Sequence, residues 1–164
     1  MRLYRLHSLQ SLPIPKVKAW EFLSNPKNLA TITPEHMGFH ILSGGERDMF
    51  PGQIIQYKVI PFPGLSTRWV TEITHVLDGE YFVDEQRFGP YALWHHKHFL
   101  KTIPEGVVME DIIDLKLPFG PLGRLVYPLI KKQLIKIFAY REQKLTELFG
   151  KVEGKSNFLH IKSI

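Results

Sequence analysis

Residues 122–149 read LGRLVYPLIKKQLIKIFAYREQKLTELF. From Pro128 onward, Ile130, Leu134, Ile137, Phe138, Leu145 and Leu148 recur at three- and four-residue steps, the spacing of one apolar stripe on an α-helix. Arg141 falls on that stripe between Phe138 and Leu145, where a leucine would be ordinary. The rest of the chain reads as a curved sheet folded around this helix, with Arg141 pointing into the space between them. Pro128 inside the pattern predicts a kink or a separate first turn. Gly150 is a C-terminal cap, and 151–164 reads as a polar, mobile tail beyond a single domain of residues 1–150.

Upstream of the helix, residues 2–12 mix apolar and polar positions at near-alternate spacing and predict a first strand, ended by Pro13 and Pro15. Lys16 to Leu23 predicts a short helix, and Ser24 to Asn28 starts a second that ends near Thr33 and Pro34. This pair is expected to plug one end of the sheet. Six strands follow, at about 37–43, 52–61, 66–77, 80–88, 93–103 and 106–117, separated by glycine and proline turn signals. Strands in series joined by short turns form an antiparallel meander. The fold class is therefore α+β, a seven-stranded curved antiparallel sheet gripping one long C-terminal helix.

Composition narrows the chemistry. The 164 residues include no cysteine, which removes disulfides, thiolate nucleophiles and Cys-ligated metals and suits a reducing cytoplasm. No stretch approaches the roughly 18 apolar residues of a membrane span, and the N-terminus lacks an export-signal pattern, so a soluble cytoplasmic protein is expected. The formal charge of +5 is modest and dispersed; Lys131, Lys132, Lys136 and Lys144 decorate the polar side of the helix. No nucleic-acid-binding motif accompanies it, and no nucleic-acid partner is expected.

Strand alternation and the turns predict which side chains meet. A hairpin closed through 89–92 sets Phe88 opposite Trp94, Gln86 opposite His96, Asp84 opposite His98 and Phe82 opposite Leu100. Through the turn at 104–106, His96 then lies opposite Asp111 and His98 opposite Met109, with Lys97 meeting Glu110 outside. The inward face combines Trp69, Thr71, Ile73, Phe82, Phe88, Trp94, Met109 and Ile113 with Asp84, Gln86, His96, His98 and Asp111. Unpaired buried polar groups cost on the order of 1–3 kcal/mol each, so this cluster needs partners. Arg141 supplies a charge partner for Asp84 or Asp111. The network either lines a ligand cavity with apolar walls or is a filled polar core that fixes the register of the sheet.

The same residues carry a resemblance. The stretch Phe82 to Pro90 (FVDEQRFGP), followed by Tyr91, Trp94, His96 and His98, resembles the motif of an uncharacterised subfamily of the START-like, Bet v 1-type superfamily, also called SRPBCC or polyketide cyclase/dehydrase-like proteins. Asn28 to Pro34, Gly52 with Tyr57, Trp69 to Ile73, Met109 to Asp111, Leu117 to Gly120 with Leu122 and Gly123, and Phe138 with Tyr140 and Arg141 agree with it. The match spans residues 8–149; Val107 stands where threonine is common, and Pro128 is unusual within the helix. The resemblance implies a helix-grip fold with a deep hydrophobic pocket. It also implies binding of lipids, sterols, polyketides, quinones or plant hormones, with cyclisation or dehydration in a minority of members.

The functional expectation is a protein that binds or carries a small hydrophobic molecule, with Trp69, Thr71, Phe82, Asp84, Gln86, Trp94, His96, His98, Met109, Asp111, Phe138 and Arg141 as ligand-binding residues. The alternative is a cyclase or dehydratase using Asp84 with His98 and Asp111 with His96 as acid/base pairs. No nucleophile elbow, phosphate loop, metalloprotease or kinase motif is present. His96 and His98 share one strand face about 7 Å apart, and Asp111 would complete a metal site, but such spacing more often belongs to carboxylate-bonded histidines, and no metal or cofactor is expected. Phe62 and Phe119 read either as ordinary loop residues or as a gate over the pocket mouth, where membrane contact would be transient. The sequence gives no oligomeric state.

Overall fold

The computed structural model describes residues 2–62 and 64–164. Strand β1 (Tyr4–Leu12) leads into helix α1 (Lys16–Leu23), two 3-10 turns at Pro26–Leu29 and Glu35–Met37, and strands β2 (His40–Ser43), β3 (Gln53–Phe62), β4 (Leu65–Leu77), β5 (Tyr81–Phe88), β6 (Leu93–Ile103) and β7 (Gly106–Lys116). Helix α2 (Pro121–Phe149) and strand β8 (Phe158–Ser163) complete it. The expected second helix is two single 3-10 turns, because Pro26 and Pro34 each restart the backbone within a few residues.

The sheet is antiparallel and ordered β2-β3-β4-β5-β6-β7-β1-β8. It is an α+β helix-grip arrangement with eight strands instead of seven. The eighth comes from the segment expected to be a tail. Phe158 to Ser163 pairs with β1 from Leu9 to Tyr4, and Ile161 is buried with Tyr4 and Leu6. β1 would otherwise present an unpaired edge, and β8 covers it.

Helix α2 is continuous through Pro128, so no separate first turn forms. After Pro128 its buried residues are Leu134, Phe138, Arg141 and Leu145, one stripe at steps of four, three and four. Leu145 packs with Leu12, Ala19 and Val107, while Leu134 and Phe138 pack with Tyr4, Ile113 and Leu115. Leu148, expected on the stripe, is 48% exposed. Before Pro128 the helix leaves the core: Leu122 and Leu125 are exposed, and Tyr127 holds this end by stacking on Tyr4 at 3.9 Å. The helix ends at Gly150, whose N–H donates to the Thr146 carbonyl. Among the described residues, no helix is long and apolar enough to cross a membrane.

Replacing Ile161 by alanine is expected to destabilise the protein by about 3 kcal/mol, the usual cost of emptying a packed aliphatic site. Chemical denaturation would read this, and an unchanged midpoint would mean that β8 contributes no packing.

Candidate functional site

The central strand β6 places His96 and His98 on one face, and its neighbours bring a carboxylate from each side. Both hairpins differ from the expected register by two residues. Asp84 lies opposite His96 and Phe82 opposite His98, while Asp111 lies opposite His98 and Met109 opposite Leu100. A shift of two keeps every side chain on its face and changes only which residues stand opposite.

The cause on the β5–β6 side is visible at Gln86. Its Nε2 donates to the Tyr91 carbonyl at 2.7 Å, and its Oε1 accepts from the Tyr91 N–H at 3.2 Å. This staple widens the loop, so β5–β6 pairing stops at Glu85–His95 and Phe88 turns outward, 72% exposed. Gly89, at φ +159°, is needed there because a Cβ would lie 2.4 Å from Gln86 Oε1. Gln86 therefore holds the turn. At the other turn, Ile103 pairs with Gly106, a shorter connection than the expected pairing assumed.

The expected histidine–aspartate bonds nevertheless form, as diagonal contacts across the strands. His98 Nε2 donates to Asp84 Oδ2 at 2.9 Å, and His96 Nε2 to Asp111 Oδ1 at 3.1 Å. Each ring also faces the other carboxylate: His96 Nδ1 lies 3.4 Å from Asp84 Oδ2, and His98 Nδ1 lies 2.8 Å from Asp111 Oδ1 without hydrogen-bond alignment. Arg141 reaches down from α2 to put Nη2 3.4 Å from Asp111 Oδ1. Of the two aspartates foreseen as its partner, Asp111 is the one it meets. Phe82 stacks on the His98 ring at 4.1 Å, and the two imidazole centroids are 3.7 Å apart.

Burial and charge act against each other throughout this cluster. Burial pushes the Asp111 carboxyl up, but the Arg141 charge and both imidazoles hold it well below its usual value. Burial likewise raises Asp84, and His96 and His98 outweigh it, leaving Asp84 lowered. Burial and the His98 charge bring His96 down to about 4. His98 goes the other way: burial lowers it, yet its close contacts with the Asp111 and Asp84 carboxylates win and raise it. Arg141 and the raised imidazole of His98 thus face the two carboxylates, with His96 held neutral.

These side chains form one wall of a cavity of about 200 Å³ between the sheet and α2. Trp69, Thr71, Phe82, Asp84, Trp94, His96, His98, Phe138 and Arg141 line it. Three residues expected to bind ligand do not. Gln86 is in the turn staple, Met109 is packed in the core with Leu12 and Leu100, and Asp111 lies behind the histidines. Of the proposed gate, Phe119 is 81% exposed at φ 61° and is not in the cavity wall; the Phe62 side chain and Pro63 lie outside the described residues.

The sequence reading missed the far wall, where the end of α1 supplies Leu23, the link between the 3-10 turns supplies Ile32, the second 3-10 turn supplies Met37, and β3 supplies Tyr57 and Val59. The strict alternation of β3, with Ile55, Tyr57 and Val59 buried and Ile54 exposed, is the signal that points there. Tyr57 is hydrogen-bonded with Thr71, and burial together with the Asp84 charge raises its phenol so that it stays neutral.

No protein-family model matches the chain, and no curated protein matches it. Solved structures do. The aromatase/cyclase Zhui from Streptomyces sp. R1128 is similar at TM-score 0.70 and 11% identity, covering 89% of this chain and 93% of that one. The protein CV1439 from Chromobacterium violaceum is similar at TM-score 0.68 and 15% identity, covering 93% and 100%. Ara h 8.0201 is similar at TM-score 0.60 and 14% identity, covering 88% and 99%. Fold and cavity together make this a helix-grip protein. In particular, it has the START-like, Bet v 1-type fold of polyketide cyclase-like proteins.

Removing Arg141 tests the cluster. A group whose carboxyl is depressed in the folded state contributes stability above its unfolded value, and that stability is lost as pH falls through the folded value. Arg141→Met lets Asp111 rise, so acid unfolding in EDTA-containing buffer is expected to begin at a higher pH than in the wild type. Neutral-pH stability should drop by about 3 kcal/mol, the order seen when one partner of a buried pair is removed. An acid-unfolding curve identical to wild type would mean that Arg141 does not act on Asp111.

Proposed function

We propose that the protein binds or carries a small hydrophobic molecule, lipid-, polyketide- or quinone-like, between the sheet and α2, with the molecule's polar end toward Arg141, His96 and His98. The observation that carries this reading is a mainly apolar cavity with one charged wall made by Asp84, His96, His98 and Arg141. The polar end of a ligand gives such a wall partners that an apolar filling does not. Size narrows the class. A dry cavity of about 150 Å³ accommodates benzene, so about 200 Å³ suits one or two fused rings better than a two-chain lipid. The similarity to an aromatase/cyclase supports the same chemical range. Ligand exchange by transient membrane contact falls to exposed Phe119, and the absence of cysteine suits a cytoplasmic setting.

A second reading is enzymatic. His96 and His98 sit on the cavity wall with carboxylate partners, the arrangement for proton transfer in cyclisation or dehydration. His96→Ala and His98→Ala would then bind an aromatic polyketide-like compound without turning it over.

Trp69 and Trp94 line the cavity and report occupancy through their fluorescence. Titration with 2-naphthoate and with naphthalene is expected to give saturable quenching by both. Arg141→Met should weaken naphthoate about tenfold, the worth of one good hydrogen bond, and leave naphthalene unchanged. Absence of saturable binding, with no co-purified compound in native mass spectrometry, would sink the ligand-binding reading.

A further inference from the structure

The four ring nitrogens of His96 and His98 meet two carboxylate oxygens. His96 Nε2 and His98 Nδ1 lie 3.1 and 2.8 Å from Asp111 Oδ1, and His96 Nδ1 and His98 Nε2 lie 3.4 and 2.9 Å from Asp84 Oδ2. A neutral imidazole carries one N–H. Two of these contacts are hydrogen bonds, His96 Nε2 to Asp111 and His98 Nε2 to Asp84, while His98 Nδ1 is buried without a hydrogen-bond partner. A cation between Asp84 and the rings takes the lone pairs on the Asp84 side and leaves the single N–H of each ring for Asp111, which brings the orphaned His98 Nδ1 into use.

We propose that Asp84 Oδ2, His96 Nδ1 and His98 Nε2 form a site for a divalent first-row transition ion of the zinc or ferrous class, with its open positions facing the cavity. Asp84, His96 and His98 offer ligand atoms that all lie within 4.8 Å of one another. An ion with bonds of about 2.1 Å separates adjacent ligand atoms by about 3.0–3.4 Å, close to the 2.9 and 3.4 Å found here. Two imidazoles and one carboxylate suit zinc or non-haem iron, and the nitrogens disfavour calcium and magnesium, which prefer oxygen.

The surroundings fit as well. In metal sites the far nitrogen of each ligating imidazole is commonly held by a carboxylate, which fixes tautomer and ring orientation. Asp111 stands in that position for both rings, and Arg141 offsets its charge. Asp84 and the rings line the cavity while Asp111 lies behind them, so ligands are in front and support is at the back. This departs from the expectation of no metal, which weighed Asp111 as the third ligand beside His96 and His98. The register adds Asp84 directly opposite His96.

With both imidazoles neutral, the ion and Arg141 exceed the two carboxylates by one positive charge. The site therefore selects an anionic oxygen, such as a phenolate, enolate or carboxylate, to complete the coordination. That last step rests on the cavity reading; the ion site itself does not.

The test uses metal alone. Full-length protein stripped with chelator and titrated with Zn²⁺ or Co²⁺ is expected to bind one ion per chain, with visible Co²⁺ bands of a four- or five-coordinate site and a raised melting temperature. Asp84→Asn, close to wild type in shape, should abolish the Co²⁺ bands. Asp111→Asn should keep the stoichiometry and weaken binding about 10- to 100-fold. His95→Ala, on the outer face beside Glu85, should change nothing. A folded wild type without Co²⁺ bands overturns the site whatever the variants do. So does binding that persists unchanged in Asp84→Asn, which would assign the ion to surface histidines. Ion binding with no naphthoate binding would count against the ligand reading alone.

Discussion

Asp111 is a carboxylate with 7% side-chain exposure, and the placement of three elements follows from neutralising it. An uncompensated buried charge is far more costly than any single apolar contact in this core is favourable. β7 supplies the charge, β6 supplies two imidazoles against it, and α2 supplies Arg141 from above. Leu134, Phe138 and Leu145 would bury their stripe over a range of helix rotations. Arg141 restricts that range, because its guanidinium has to reach Asp111 while its stem passes Phe138, over whose ring the guanidinium carbon sits at 5.7 Å. The residue that breaks the apolar pattern thus sets how the helix meets the sheet.

Most of the architecture was legible because it depends on period alone. The strands and both helices lie close to where alternation and helical spacing put them, and the inward set of β5, β6 and β7 differs chiefly at Phe88 and Gln86. What the sequence concealed was pairing, since it depends on how each turn closes. The Gln86 staple to Tyr91 is a side-chain event that no propensity encodes, and it moves β5 against β6 by two residues. The diagonal reach of histidine and aspartate side chains preserved the expected bonds in spite of this. β8 was hidden for a different reason. Its FLHIKS segment alternates weakly after a charged spacer, and its partner is the free edge of β1, which exists only once the sheet has formed.

The cavity's far wall shows the same division. Tyr57 and Val59 could be assigned inward from the alternation of β3, whereas Leu23 ends the short helix α1, and Ile32 and Met37 lie between and within single 3-10 turns too brief to carry a period. Their contribution is to close the apolar end, so that the cavity is polar on one wall and oily on the others. That asymmetry fixes how an elongated molecule would lie, with its rings against Phe82, Trp94 and Phe138 and its oxygen toward Arg141.

Apolar walls alone select weakly, since one methylene more or less changes affinity by about 1 kcal/mol. The polar wall selects differently. On the proposed ligand reading, a molecule without an acceptor leaves the polar wall unpaired and forfeits about 1–3 kcal/mol, a factor of roughly 10 to 100 in affinity. The penalty falls on the wrong ligand, while Asp111 keeps Arg141 as its charge partner. On the proposed ligand reading, a site built this way tolerates variation in the ring system and is strict about the oxygen.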